Sequence, residues 1–252
     1  MIEIIVFSEN NPQMLFLTLE SLQKNAPKNK INIIYQVNDN LFEGYEICEA
    51  HYPKMNFINS KIDYKQDLKS LLKTFNKANQ VLLMTDRDIL FEPFDESIIQ
   101  SMMNNNDILA FSLRLGKNVT HCARMDSDNI LKAEDVKDGM KWDWTKHYLD
   151  FGYPFSLQGH IFNIKEFNRF VKNTQFENRN SLEEGLQMFE NYPKTFMAAF
   201  NKSKIVYLTN GSDYISYAEF LDGYEPQLES MDFNKLDRCE SEIYFENLKR
   251  TR

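Results

Sequence analysis

The first third of the chain alternates short β-rich runs with longer runs patterned for helix, and this alternation restricts the fold more than any other feature. Ile2 to Phe7 reads as a strand, and Asn11-Pro12 follows as an N-cap with a first-turn proline. Leu15, Phe16, Leu19 and Leu22 then recur at helical spacing, which sets them on one buried stripe. A second strand over Ile31 to Val37 ends at Asn38-Asp39-Asn40; a short helix over Gly44 to His51 and a short third strand over Asn56 to Ile58 come next. Leu68, Leu71, Leu72, Phe75 and Ala78 mark the clearest helix. Val81 to Met84 is apolar throughout, as a strand covered on both faces must be. Strand-helix units in series predict an α/β fold with a mostly parallel central sheet flanked by helices.

Beyond residue 90 the pattern loosens. Ile108 to Ser112 and Ile161 to Ile164 read as strands, Glu166 to Lys172 and Leu182 to Glu190 as helices, and Lys204 to Leu208 as a further strand. Between them, Gly116 to Tyr153 is polar, carries both tryptophans and shows no long periodic element; a loop-rich stretch of that length points to function or to mobility. Past Asp213 mostly helix and tail are expected, with Phe233 to Arg250 as a terminal helix. With no repeat and no Gly/Ser linker, the 252 residues are read as a single domain with a C-terminal elaboration.

Composition excludes partners more readily than it proposes them. The chain has 37 acidic against 29 basic side chains, a net charge of −8, and no concentrated basic stripe, which argues against nucleic acid. No run approaches the ~20 apolar residues that cross a bilayer, and MIEIIVFSEN reads as a first strand instead of a signal peptide, so a cytoplasmic protein without a transmembrane segment is expected. Cys48, Cys122 and Cys239 are odd in number and far apart, which suggests neither disulfides nor a zinc knuckle.

Chemistry concentrates at Val81-Leu-Leu-Met-Thr-Asp86-Arg87-Asp88, where an apolar strand delivers two carboxylates at its carboxyl end. Ligands of open α/β sheets bind in the crevice outside those ends. In extended chain, residues i and i+2 point the same way, so Asp86 and Asp88 can bracket one divalent cation, and hard oxygen ligands suit Mg²⁺ or Mn²⁺. The plain alternative is a surface turn in which Asp86 caps a helix and Asp88 pairs with Arg87 or a lysine.

This arrangement resembles the nucleotide-sugar-dependent glycosyltransferases of the GT-A fold, over about residues 1 to 210. The resemblance implies a Rossmann-like nucleotide-sugar-binding half over residues 1–112, an acceptor-binding and catalytic half over 113–212, and a helical C-terminal extension over 213–252. It implies donor contacts from Ser8, Asn10, Asp39, Asp86 and Arg87, with Mn²⁺ or Mg²⁺ held by Asp86 and Asp88. In Asn180-Ser-Leu-Glu183-Glu184-Gly-Leu, the acidic pair resembles the family's E-D motif, whose carboxylate is the base of inverting members; Glu184, in the second position, is the first choice and Glu183 the second. Gly152-Tyr-Pro-Phe-Ser-Leu-Gln158-Gly159-His160 resembles the glycine-containing stretch on the acceptor side. The implied reaction moves a sugar from a UDP- or GDP-sugar to a saccharide, lipid-linked or protein acceptor. Asn38-Asp39-Asn40-Leu41 and Glu183-Glu184 depart from the family's D-D-G-S and E-D.

Trp142 and Trp144 stand two apart and, if extended, offer a stacking platform for an acceptor; the alternative is that they anchor a loop. His160 is read as an acceptor or phosphate contact, or else a core histidine. Arg114 and Lys117 suit a diphosphate, or are solvated charges at a strand exit. Two further classes compete: a haloacid-dehalogenase-like phosphatase, for which Leu90 and Gly211-Ser-Asp213 are poor matches, and an inactive binding module. A sugar nucleotidyltransferase needs a Gly-rich basic loop where this chain has Ser8-Glu-Asn-Asn-Pro12.

Overall fold

A computed structural model describes residues 1–75, 78–189, 191–209 and 215–225, together with 228, 233, 238–241 and 249–250. The strand-helix series forms as expected: β1 (Ile2–Glu9), α1 (Pro12–Asn25), β2 (Lys30–Gln36), α2 (Phe42–His51), β3 (Asn56–Asn59), α3 (Tyr64–Lys73) and β4 (Gln80–Thr85). Then follow β5 (Asp88–Leu90), α4 (Glu96–Met103), β6 (Ile108–Ser112), β7 (His121–Cys122), β8 (Ser127–Asp128), β9 (Glu134–Val136) and β10 (Gly139–Asp143). The chain continues through β11 (His160–Asn163), α5 (Ile164–Asn173), α6 (Arg179–Leu186), β12 (Phe196–Ala199), β13 (Ile205–Leu208) and α7 (Tyr217–Leu221).

Nine strands join in one sheet in the order β3-β2-β1-β4-β11-β6-β12-β10-β9. From the pairings, seven of the nine run the same way and only β10 and β11 oppose them. The period-2 alternation of strands sends neighbouring residues to opposite faces. Ile5, Phe7, Val81 and Leu83 therefore enter one core with α3, α5 and α6, while Ile4, Val6, Leu82 and Met84 enter the other with α1, α2 and α4. Helix α1 is buried beyond its predicted stripe because Met14 and Leu17 pack on Ile89, Val206 and Leu208. Those three belong to a small second sheet in which β13 pairs with β5.

Several expectations are corrected. The stretch 116–153 supplies β10, paired with β12, and both lie inside the main sheet. Asn11 precedes α1, but its side chain makes no capping bond. Of the terminal helix expected over Phe233 to Arg250, Glu240–Ser241 and Lys249–Arg250 are extended and paired, and most of the remainder, like Asp213, lies outside the described residues. All three cysteines are buried thiols. Among the described residues, no helix is long and apolar enough to cross a membrane.

The topology brings chemistry to one sheet end. Phe7 is opposite Thr85, Leu83 is opposite His160 and His160 is opposite Ser112, so Ser8-Glu9, Asp86, Arg114 and Gln158 all emerge at the carboxyl ends of β1, β4 and β6. Gly159 lets the last two approach: at φ 70° it occupies the left-handed region, and a Cβ there would meet the Arg114 Cβ at 3.2 Å.

Candidate functional site

Asp86 is fully buried where β4 ends. Its Oδ2 accepts from the Ser8 hydroxyl at 2.9 Å and the Glu9 N–H at 3.0 Å, while its Oδ1 accepts from Nη1 of Arg179 at 3.0 Å. Tyr45 donates to or accepts from Ser8 at 2.7 Å and takes the Asn11 N–H at 3.1 Å, locking the hydroxyl that serves Asp86. Burial alone would lower the Arg179 pKa, yet the Asp86 carboxylate holds that guanidinium above its usual value.

The extended geometry expected for Asp86 and Asp88 is not adopted. Residues 86 and 87 form a turn, and Asp88 folds back so that its Oδ2 accepts the Thr85 N–H at 2.6 Å and the Thr85 hydroxyl at 3.1 Å. Its Oδ1 is buried without a partner, and burial raises its pKa to about 7. Asp86 does not cap a helix, and Asp88 pairs with Thr85 instead of Arg87, which donates to the Thr209 carbonyl at 3.2 Å. These residues do not fit a divalent cation: each Asp86 oxygen already accepts a bond, a guanidinium stands at Oδ1, and Asp88 offers one oxygen. Among the described residues no three His, Cys, Asp or Glu side chains stand together as a metal site.

A cleft of about 720 Å³ is lined by Arg114, Arg124, Tyr153, Gln158, Glu183 and Glu184, among others. That size is within the range of ligand pockets. Helix α6 supplies the acids. Asn178 caps it by accepting the Ser181 N–H at 2.9 Å, and Ser181 returns a bond to the cap backbone. Arg179 and Glu183 are four apart and share one helix face. Burial raises the Glu183 pKa, opposed by the Arg114 charge and by hydrogen bonds from the Tyr153 hydroxyl and the Leu157 backbone. Glu184 lines the cleft from an exposed position. Arg114 is itself buried, with Nη2 at 3.4 Å from Asp150 Oδ1 and Nη1 at 3.4 Å from Gln158 Oε1.

The other expected residues divide. Asn10, at φ 52°, accepts the Asn38 N–H on its Oδ1 at 2.8 Å, so the ends of β1 and β2 meet; Asp39 is exposed beside them. The tryptophans are not a platform: Trp142 and Trp144 are buried and donate their ring N–H to the Phe151 and Lys194 carbonyls. His160 is likewise in the core, with Nδ1 at 3.0 Å from the Pro154 carbonyl and its pKa driven down to about 3 by burial and by Arg114. It cannot reach an acceptor. Lys117 pairs with Asp135 on the surface. Sequence reasoning missed Arg179, Tyr45, Tyr153 and Asp150; of these only Arg179 left a signal, four residues before Glu183.

No protein-family model and no curated protein matches the sequence. Solved structures do share the fold. The 1–349 segment of S. aureus TarS in complex with UDP aligns with a TM-score of 0.52 and 11% identity, over 81% of this chain and 60% of that one. A second structure of TarS 1–349 aligns at 0.50 and 11% identity with the same coverage. A cytidylyltransferase from Leptospira borgpetersenii aligns at 0.47 and 13% identity, over 88% and 92% of the two chains. This chain therefore spans about 60% of the TarS segment. At this level of identity the likeness concerns the fold, and the fold of this chain is distantly GT-A-like.

Proposed function

We propose that the chain is an inverting glycosyltransferase that moves a sugar from a nucleoside-diphosphate sugar to a hydroxyl acceptor, with Glu183 as general base. The observation that carries this reading is the Glu183 carboxylate, set in the cleft with Arg114, which follows β6, hydrogen-bonded by Tyr153 and held above its ordinary pKa by burial. A base of that kind takes the acceptor's O–H proton; the acceptor oxygen bonds to the anomeric carbon, and the bond from that carbon to phosphate breaks with its electron pair leaving on the nucleoside diphosphate. General-base catalysis of this kind contributes about 10²–10⁴-fold. The buried Arg114 opposes the charge that develops on the leaving group. Ser8, Asn10 and Asp39 lie on the donor side, and Gln158 and Gly159 on the acceptor side. The complex of TarS with UDP makes uridine nucleotides the first to try.

The test is release of UDP or GDP from a panel of UDP- and GDP-sugars. Glu183→Gln is expected to lower turnover about 10²-fold or more with UDP affinity kept, while Glu184→Gln stays near wild type. The reverse order of effects, or no release from any donor, would sink the assignment. Because burial raises the Glu183 pKa, rate falls as pH drops through that value, and the acid limb lies above the ~4.3 of an ordinary glutamate.

A further inference from the structure

We infer that Arg179 holds the charge-neutralising place beside Asp86, so that a nucleoside diphosphate binds this chain without a divalent cation; the inference rests on the glycosyltransferase reading. Asp86 needs no metal to be satisfied. Its side chain is 1% exposed and both oxygens are engaged, one by Ser8 and Glu9 and the other by Arg179. A dication at that carboxylate would have to displace the guanidinium or sit beside it against like-charge repulsion. Asp88 offers only its buried Oδ1, since its Oδ2 accepts from Thr85 and the turn at residues 86 and 87 replaces an extended pair.

Arg179 is built to serve an anion as well as Asp86. A guanidinium has five N–H donors; among the described residues one is committed, to Asp86, and the side chain is 21% exposed. Its planar fork matches phosphate oxygens. It stands on the helix that carries Glu183, one turn away, and the charges of Arg179 and Arg114 both act on Asp88 and on Glu183. Two guanidiniums thus flank the sheet end where a diphosphate would lie.

The 252-residue chain is titrated calorimetrically with UDP, GDP and CMP, each in EDTA and again in Mn²⁺ or Mg²⁺. At least one nucleoside diphosphate is expected to bind in EDTA with a Kd within about threefold of its value with metal. Arg179→Gln is expected to weaken that binding at least about tenfold in EDTA. Since this variant leaves Asp86 buried without its partner, Asp86→Asn/Arg179→Gln carries the same test with neither charge present. Binding only with metal overturns the inference and leaves the glycosyltransferase reading standing; no binding under either condition overturns both. Metal-free binding that survives loss of Arg179 in a folded variant also overturns it.

Discussion

His160 is a fully buried histidine that stays neutral: its pKa is pushed down to about 3, while an unfolded chain protonates the same ring near 6.5. Below pH 6.5 the unfolded state therefore binds the extra proton, and stability present at neutral pH is lost progressively as pH falls towards 3. His160→Gln, which keeps a donor for the Pro154 carbonyl, is expected to lose about 2 kcal/mol less stability than wild type between pH 7 and pH 5, read by urea unfolding at the two pH values. Trp142 poses a purely structural test. It is buried, bonded to the Phe151 carbonyl and in edge-on contact with the Phe151 ring at 5.4 Å. Trp142→Ala is expected to cost about 3–5 kcal/mol, far beyond what a surface sugar platform would lose. These residues were legible as types but not as roles, because burial depends on neighbours distant in sequence.

At the scale of elements, α6 matters most, since it carries both Arg179 and Glu183. Its seat is narrow: a Cβ on Gly185 would stand 2.2 Å from Cγ2 of the buried Thr174. Alanine ordinarily stabilises a helix interior by about 0.5–1 kcal/mol over glycine. Here the stiff, buried threonine cannot yield cheaply, so Gly185→Ala is expected to be net destabilising by about 1–3 kcal/mol. Adding Thr174→Ser, which removes the opposing methyl, should recover most of the loss in a thermal unfolding comparison; additive losses would disprove the contact as the cause. Elements with strong local signals, β1 to β4 with α1 to α3, were readable from their apolar runs and periodicity; of the three helices only α3 has a side-chain cap, Asp63. By contrast β12 is four residues with two alanines, Phe196-Met-Ala-Ala199, and β10 lies in a polar stretch. Both are strands because β6 offers an edge to β12, and β12 offers one to β10.

For the whole molecule, ligand binding and stability are one quantity. A nucleotide that binds only the folded chain at a hundred times its Kd adds about 2.7 kcal/mol, which for a chain of 252 residues corresponds to a Tm rise of roughly 5–11 °C. Under the proposed function UDP or GDP is expected to produce such a rise, unchanged in Glu183→Gln, whose role lies in the chemical step. The net charge of −8 acquires a sharper meaning under the proposed function: an anionic donor would meet Arg114 and Arg179, whose charges both act on Asp88, and not a diffuse basic surface. What the amino-acid sequence determined by itself was the alternating α/β frame, the delivery of Asp86 to a strand end and the acidic pair on a helix, all local patterns of period, apolar run and cap. Tertiary structure alone decided that Asp86 meets Arg179 across 93 residues, that Asp88 turns back to Thr85, that Glu183 faces the cleft and that the tryptophans and His160 are core. Charge pairing and desolvation act through space, and which groups meet is set by how the strands order in the sheet.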